Sequence, residues 1–253
     1  MSIPLVIGLF ALLLILIVGY NVIIQYRQRL ESEKQQELAK HIAVIDATED
    51  LIGNAHHLPY SKELLVCLNQ RILFALQSMS DTDPTEKSLP ARIKNVAEQI
   101  KHLQANYSNA DVASFKTPST DKQAIGMLQL VKRLKTVIKN EHSKGRLATQ
   151  AFVTENARLE GIQLRINIEN VVKRANDARL KRQLGTAKQL LKKGIDVLSS
   201  KNDNYANKAR EKLQVMLSEI DNSQSQNHEQ ERQQIIDKEH DELDVLFQPK
   251  RKW

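Results

Sequence analysis

Residues 157–178 read ARLEGIQLRINIENVVKRANDA, and small or aliphatic side chains recur along them in steps of four and three residues. The recurring positions are Ala157, Gly161, Leu164, Ile168, Val171, Ala175 and Ala178. This spacing returns to one side of an α-helix every two turns, so it predicts a helical seam. Small seam residues let a second helix approach closely, although each one buries little apolar surface.

The rest of the chain has the composition of an all-α protein. Its 253 residues include only 8 glycines and 6 prolines, and no proline lies between Pro118 and Pro249. A β-sandwich or barrel needs more turn residues than this. We therefore expect an all-α fold with a single N-terminal transmembrane helix, an elongated cytoplasmic helical bundle or hairpin, and a flexible polar C-terminal tail.

The N-terminal segment is predicted to span a membrane. Residues 3–24 carry no charge in 22 positions. At about 1.5 Å per residue this is roughly 33 Å of helix, enough for a hydrocarbon core of about 30 Å. A cleaved signal peptide is the alternative, but it would have a basic start, a shorter apolar run and a clear cleavage site.

The direction of the anchor follows from the positions of lysine and arginine. None precedes the apolar run. Those that follow it closely are Arg27, Arg29, Lys34 and Lys40. Because the basic flank stays in the cytoplasm, we expect the N-terminus outside and the chain after Tyr26 inside. The lone Cys67 agrees with a reducing compartment, and the bacterial inner membrane is the expected location.

Four segments are expected along the chain. They are an anchor at 1–26, a juxtamembrane helix at 27–58, an all-α cytoplasmic domain at 59–221, and a linker with a tail at 222–253. A capping box at Thr120 and Gln123 predicts the start of a helix that Gly145 ends. A turn or kink is expected at Gly185, and the stripes on either side of residues 199–204 predict an antiparallel helical hairpin.

The C-terminal tail has the composition of a docking motif. Residues 222–234, NSQSQNHEQERQQ, contain no apolar side chain and predict a flexible linker. The expected partner contacts beyond it are Leu243, Val245, Leu246, Phe247 and Trp253. The other interpretation is a terminal helix that folds back and buries Leu246 and Phe247.

The net charge of +7 is unevenly distributed. Residues 121–213 contain 21 Lys and Arg against 9 Asp and Glu. The basic side chains that align on this part of the chain are Arg158, Arg165, Arg174, Arg179, Lys181 and Lys188. They predict either a solvated helix face or a surface that contacts the phosphates of anionic lipid or nucleic acid.

The sequence contains no pattern typical of a catalytic, metal or cofactor site. The 8 glycines are scattered and form no phosphate-binding loop, and the histidines lack the spacing of metal ligands. We therefore expect no enzyme, metal or cofactor. The favoured function is a membrane-anchored cytoplasmic scaffold or adaptor that binds protein partners. The alternative is a membrane-tethered nucleic-acid-binding protein using residues 158–193, and a homodimer through the 157–178 seam is a third hypothesis.

Overall fold

The computed structural model describes residues 3–109 and 118–247, without the side chains of residues 3–12, 14, 15 and 239–247. The helices are α1 (Ile3–Gly53), α2 (Lys62–Thr82), α3 (Leu89–Asn106), α4 (Asp121–Ser143), α5 (Thr149–Leu180), α6 (Leu184–Ser199) and α7 (Asn204–Phe247). A 3₁₀ turn, Asn54–His57, follows α1. The predicted all-α class is confirmed, because these ranges contain no strand.

The first helix is continuous over 51 residues. This confirms that the helix predicted at the N-terminus runs on through the segment that follows it. Within the described part of the chain, no helix has both the length and the apolar character that crossing a membrane requires. Residues 3–12, 14 and 15 of the predicted span lie outside the described side chains.

The chain forms two compact units. The first comprises Met1–Lys116 and Met127–Ile162, and the second comprises Thr117–Gly126 and Gln163–Trp253. The predicted all-α domain at 59–221 contributes residues to both units. Two of the unit boundaries fall inside helices, after Gly126 in α4 and after Ile162 in α5.

In the first unit, α2 packs against both α1 and α3. Ser61 caps α2, since its hydroxyl oxygen accepts a hydrogen bond from Leu64 N at 3.0 Å. The buried cluster here comprises Ile45, Ile72, Ala75, Leu76, Met79 and Leu89. Apolar positions around most of α2 predict a central helix, and the burial of nine of its residues confirms this.

In the second unit, the C-terminal half of α5 packs into one cluster with α6 and α7. The predicted hairpin of α6 and α7 is confirmed. Leu164, Ile168, Ala175 and Ala178 of the predicted seam are buried in this cluster. At the start of the seam, Ala157 is exposed. The buried residues there are Leu159, Ile162 and Ile166, which the heptad pattern missed.

The predicted helix ends of α4 are confirmed. Gln123 N donates to Thr120 Oγ1 at 3.1 Å, as in a capping box. At the other end Gly145 has a φ of +70°. Arg146 N there donates to the carbonyl oxygen of Glu141 at 2.9 Å, which is a Schellman helix end.

Two predictions about irregular structure are wrong. Gly185 lies inside α6, and the turn before α6 is formed by Arg182, which has a φ of +59°. Gln183 N donates to the carbonyl oxygen of Ala178 at 2.8 Å, so this is again a Schellman end, with an arginine where glycine is usual. The flexible linker predicted at 222–234 is instead part of α7, because its Gln, Glu and Arg residues permit a helix without an apolar face.

Candidate functional site

The first candidate surface is an exposed apolar segment of α1, residues 13–30. The exposed large apolar side chains described there are Leu13, Leu16, Ile17, Val18, Tyr20, Val22, Ile23, Tyr26 and Leu30, each between 48% and 67% exposed. They occur on all sides of the helix. A soluble monomer rarely exposes so much contiguous apolar surface, so this segment is suited to contact with lipid or protein.

The exposure of α1 ends where the helix meets α2. Ile45, Thr48 and Leu51 are each no more than 2% exposed. Thr48 fills a core position because its hydroxyl donates to the carbonyl oxygen of Val44 at 2.6 Å. Thus the N-terminal part of this helix has an unburied apolar surface, whereas its C-terminal part belongs to the core of the first unit.

The predicted basic face is divided between the two units. Arg158 belongs to the first unit, and the other five candidates belong to the second. Within the described residues, Arg179 pairs with Glu219 at 3.5 Å and Lys188 pairs with Asp221 at 2.5 Å. The side chains of Arg174 and Lys181 are exposed and have no ion pair or hydrogen bond to a described residue. The charges of these two side chains are therefore exposed to solvent and are not neutralised by any described residue.

Arg158 is mostly buried and contacts other residues of the first unit. Its side chain is 13% exposed, and its Nη1 lies 3.6 Å from Glu155 Oε2. Its Nη2 donates to the carbonyl oxygen of Pro59. Burial raises the pKa of Glu155, although the Ser61 hydroxyl and Arg158 act in the opposite direction. Arg158 therefore joins α5 to the segment before α2 within the first unit.

Arg165 lies over an aromatic ring. Its guanidinium carbon is 4.7 Å from the ring centroid of Tyr205, a cation–π geometry. Burial raises the pKa of Tyr205 to about 12. This contact links α5 to the start of α7 inside the second unit, so Arg165 contributes to packing as well as to charge.

A buried ion pair was missed by the sequence reasoning. Arg71 Nη1 lies 2.6 Å from Glu141 Oε1, and the Glu141 side chain is only 3% exposed. Arg146 Nη1 and Lys144 Nζ lie 3.6 and 3.9 Å from the same carboxylate. Arg71 is the only charged residue between Leu64 and Leu76 of α2, and a cation within such a largely apolar stretch is a signal for a buried partner.

Cys67 is a free cysteine that is buried within α2. Burial raises the pKa of its thiol to about 12, with a further increase from the nearby carboxylate of Glu141. A thiol of this kind remains protonated at neutral pH and is a poor nucleophile. Across the described ranges, no three His, Cys, Asp or Glu side chains come together as metal ligands.

The predicted tail contacts are only partly covered by the structure. The backbone of Leu243, Val245, Leu246 and Phe247 lies in α7. Their side chains and all of Trp253 lie outside the described residues. Upstream in α7, Ile235 and Ile236 are 57% and 52% exposed.

No similarity to known proteins assigns this chain to a family. The chain matches no protein-family model, and no curated protein or solved structure is significantly similar to it. The exposed surfaces described above are therefore the features from which a function is proposed.

Proposed function

We propose that this protein is a membrane-anchored helical scaffold or adaptor, with its N-terminal segment in the bacterial inner membrane and its helical units on the cytoplasmic side. The exposed apolar segment of α1 is the observation that carries the proposal. Lipid removes such a surface from water without a protein partner. Tethering also raises the local concentration of the helical units, so weak protein contacts become effective.

Three further observations favour lipid as the occupant of this segment. The uncharged run of 22 residues has the length of a membrane span. Tyr20 and Tyr26 lie at its C-terminal end, where aromatic side chains prefer the interface. Arg27 and Arg29 follow directly and suit contact with anionic headgroups.

Membrane insertion is tested by placing charge in the apolar segment. We expect the triple variant Leu13→Arg, Leu16→Arg, Ile17→Arg to move the protein from carbonate-washed membranes to the soluble fraction, because each buried arginine costs about 3 kcal/mol. The matched control is Leu180→Arg, Val197→Arg, Val215→Arg, three apolar residues exposed in the second unit. A triple variant that remains as membrane-bound as the control would refute the anchor.

The orientation is tested with reporters fused to the C-terminus. We expect a fused fluorescent protein to be active and a fused alkaline phosphatase to be inactive, since phosphatase folds only outside the cytoplasm. The opposite pattern would indicate the opposite topology.

Partner binding is tested by cross-linking in native membranes, comparing the full chain with a version that ends at Glu239. Loss of one partner with the tail supports docking through residues 240–253, and unchanged partners assign binding to the helical units.

Nucleic-acid binding remains the competing function. It is less favoured because four of the six aligned cations have partners within the chain. Arg174 and Lys181 are the residues to test, since neither has a partner among the described residues. Steeply salt-dependent DNA binding that is lost in Arg174→Glu, Lys181→Glu would favour this function over scaffolding.

A further inference from the structure

A surface pocket lies in the first unit between α1, α2 and α4. Its volume is about 300 Å³. The residues that shape it include Thr48, Leu51, Arg71, Lys132, Arg133 and Val137. None of the described residues that line it is acidic, whereas three are cationic. Leu51 and Val137 supply apolar wall, so the pocket combines positive charge with apolar surface.

Arg71 is a preorganised cation in this pocket. Its Nη1 donates to Glu141 Oε1 at 2.6 Å, and its Nε donates to Thr48 Oγ1 at 3.1 Å. These two bonds fix the guanidinium plane and leave Nη2 without a hydrogen bond to any described residue. A fixed guanidinium with a remaining donor recognises a phosphate or carboxylate oxygen at little entropic cost.

The pocket has a surplus of positive charge. Glu141 neutralises Arg71, and Asp50 Oδ2 lies 2.8 Å from Arg133 Nη1. Lys132 is exposed and has no ion pair with a described residue. One lysine therefore remains to attract an anion, in a pocket that Val137 also lines.

We propose that this pocket binds a small organic anion, with its phosphate or carboxylate at Arg71 and Lys132 and its apolar body against Leu51 and Val137. At roughly 30 Å³ per water-sized group, the volume admits about ten non-hydrogen atoms. This corresponds to one anionic group on an apolar body of about six carbon atoms. The site is separate from the exposed segment of α1 and does not depend on the scaffold function.

Phenyl phosphate is a suitable probe because it has this size and its charge keeps it out of lipid. Titration calorimetry would use the full-length protein in lipid nanodiscs, with empty nanodiscs subtracted. We expect saturable binding at one site per chain, and weaker binding of both inorganic phosphate and phenol. No saturable heat with phenyl phosphate, or inorganic phosphate binding as tightly, would overturn the proposal.

Two variants localise the binding. Lys132→Ala should weaken phenyl phosphate binding about tenfold, because a charged hydrogen bond is lost. The matched control is Lys139→Ala, on the same helix, exposed and outside the pocket lining; equal weakening by both variants would show nonspecific charge attraction and refute the site. Ala47 lines the pocket and is exposed. Ala47→Phe should therefore fill the pocket and abolish binding, with the melting temperature as the check on folding.

Discussion

At the scale of single residues, the buried carboxylate of Glu141 is the feature with the largest expected energetic consequence. It is only 3% exposed and pairs with Arg71, whose side chain is 14% exposed. Removing one partner of a buried pair leaves the other charge desolvated and uncompensated. The intact pair therefore stabilises the contact between α2 and α4, and removing either member would destabilise the fold.

We expect Glu141→Gln to lower the free energy of unfolding by about 3 kcal/mol, as measured by urea denaturation. The control is Asp50→Asn, which breaks an ion pair with Arg133 whose side chains are about half exposed. Such a surface pair contributes about 0–1 kcal/mol. Equal losses for the two variants would mean that Glu141 is not buried as described.

A second prediction concerns Glu155 and pH. Its folded-state pKa is raised above 4.5 by burial. A raised pKa contributes stability below the unfolded-state value, and this contribution is lost as pH rises through the folded value. We therefore expect the wild-type chain to lose stability relative to Glu155→Gln as pH rises from 4.5 to about 7. Thermal unfolding across this range measures the difference, and a pH-independent difference would contradict the prediction.

Arg182 forms a turn although arginine is not a residue type that indicates one in a sequence. A positive φ costs a residue with a Cβ about 1–2 kcal/mol, so glycine is the usual signal for such a helix end. The sequence offers Gly185 three residues later, so the sequence pattern predicts the turn there. The structure instead places the turn at Arg182, because the burial of Ala178 and Ala187 fixes where α5 ends and α6 begins.

At the scale of secondary-structure elements, the close packing of α6 against its neighbours depends on Gly194. A Cβ at this position would lie 2.9 Å from Leu213 Cδ1 and 3.2 Å from Val171 Cγ1. The absence of a side chain at Gly194 therefore allows α6 to lie close to both α5 and α7. Overpacking of this kind typically costs 1–3 kcal/mol, of which the better helix propensity of alanine offsets about 1 kcal/mol.

We expect Gly194→Ala to lower the free energy of unfolding by up to about 2 kcal/mol after that offset. The control is Gly161→Ala in α5, where nothing lies within 4 Å of the added methyl group. Gly161→Ala should stabilise the chain by about 0.5–1 kcal/mol. Stabilisation by both variants would show that Leu213 and Val171 move aside at low cost.

The C-terminal part of α7 is a helix with little tertiary support. Between residues 221 and 238, every side chain is exposed except that of Gln224, which is half-buried. Helices of this kind depend on local propensity, so they form weakly in water. The sequence correctly predicted the absence of a core here but not the helical backbone.

We expect Gln230→Pro to reduce the helical circular dichroism signal without changing the melting temperature, since all side chains from residue 225 to residue 238 are exposed. The control is Lys192→Pro in α6, which is also exposed but lies in a packed helix. That variant should cost about 3 kcal/mol and lower the melting temperature. A large drop for Gln230→Pro would mean that the segment packs against another part of the chain.

At the scale of the whole molecule, the aligned cations and the 157–178 seam have roles that differ from those that their sequence patterns predict. Four of the aligned cations have partners inside the chain. Leu164, Ile168, Ala175 and Ala178 are buried against α6 and α7, so a homodimer through this seam would have to displace those helices. The structure thus assigns the seam to the folding of one chain.

The sequence by itself determined the all-α class, the hairpin of α6 and α7, the capped ends of α4 and the central place of α2. These depend on periodicity and on capping residues a few positions apart, which are local properties. Only the tertiary structure decided the pairing of Arg71 with Glu141, the turn at Arg182, the pocket beside Lys132 and the division into two units. Each of these depends on groups distant in sequence, and no local pattern encodes which of them meet.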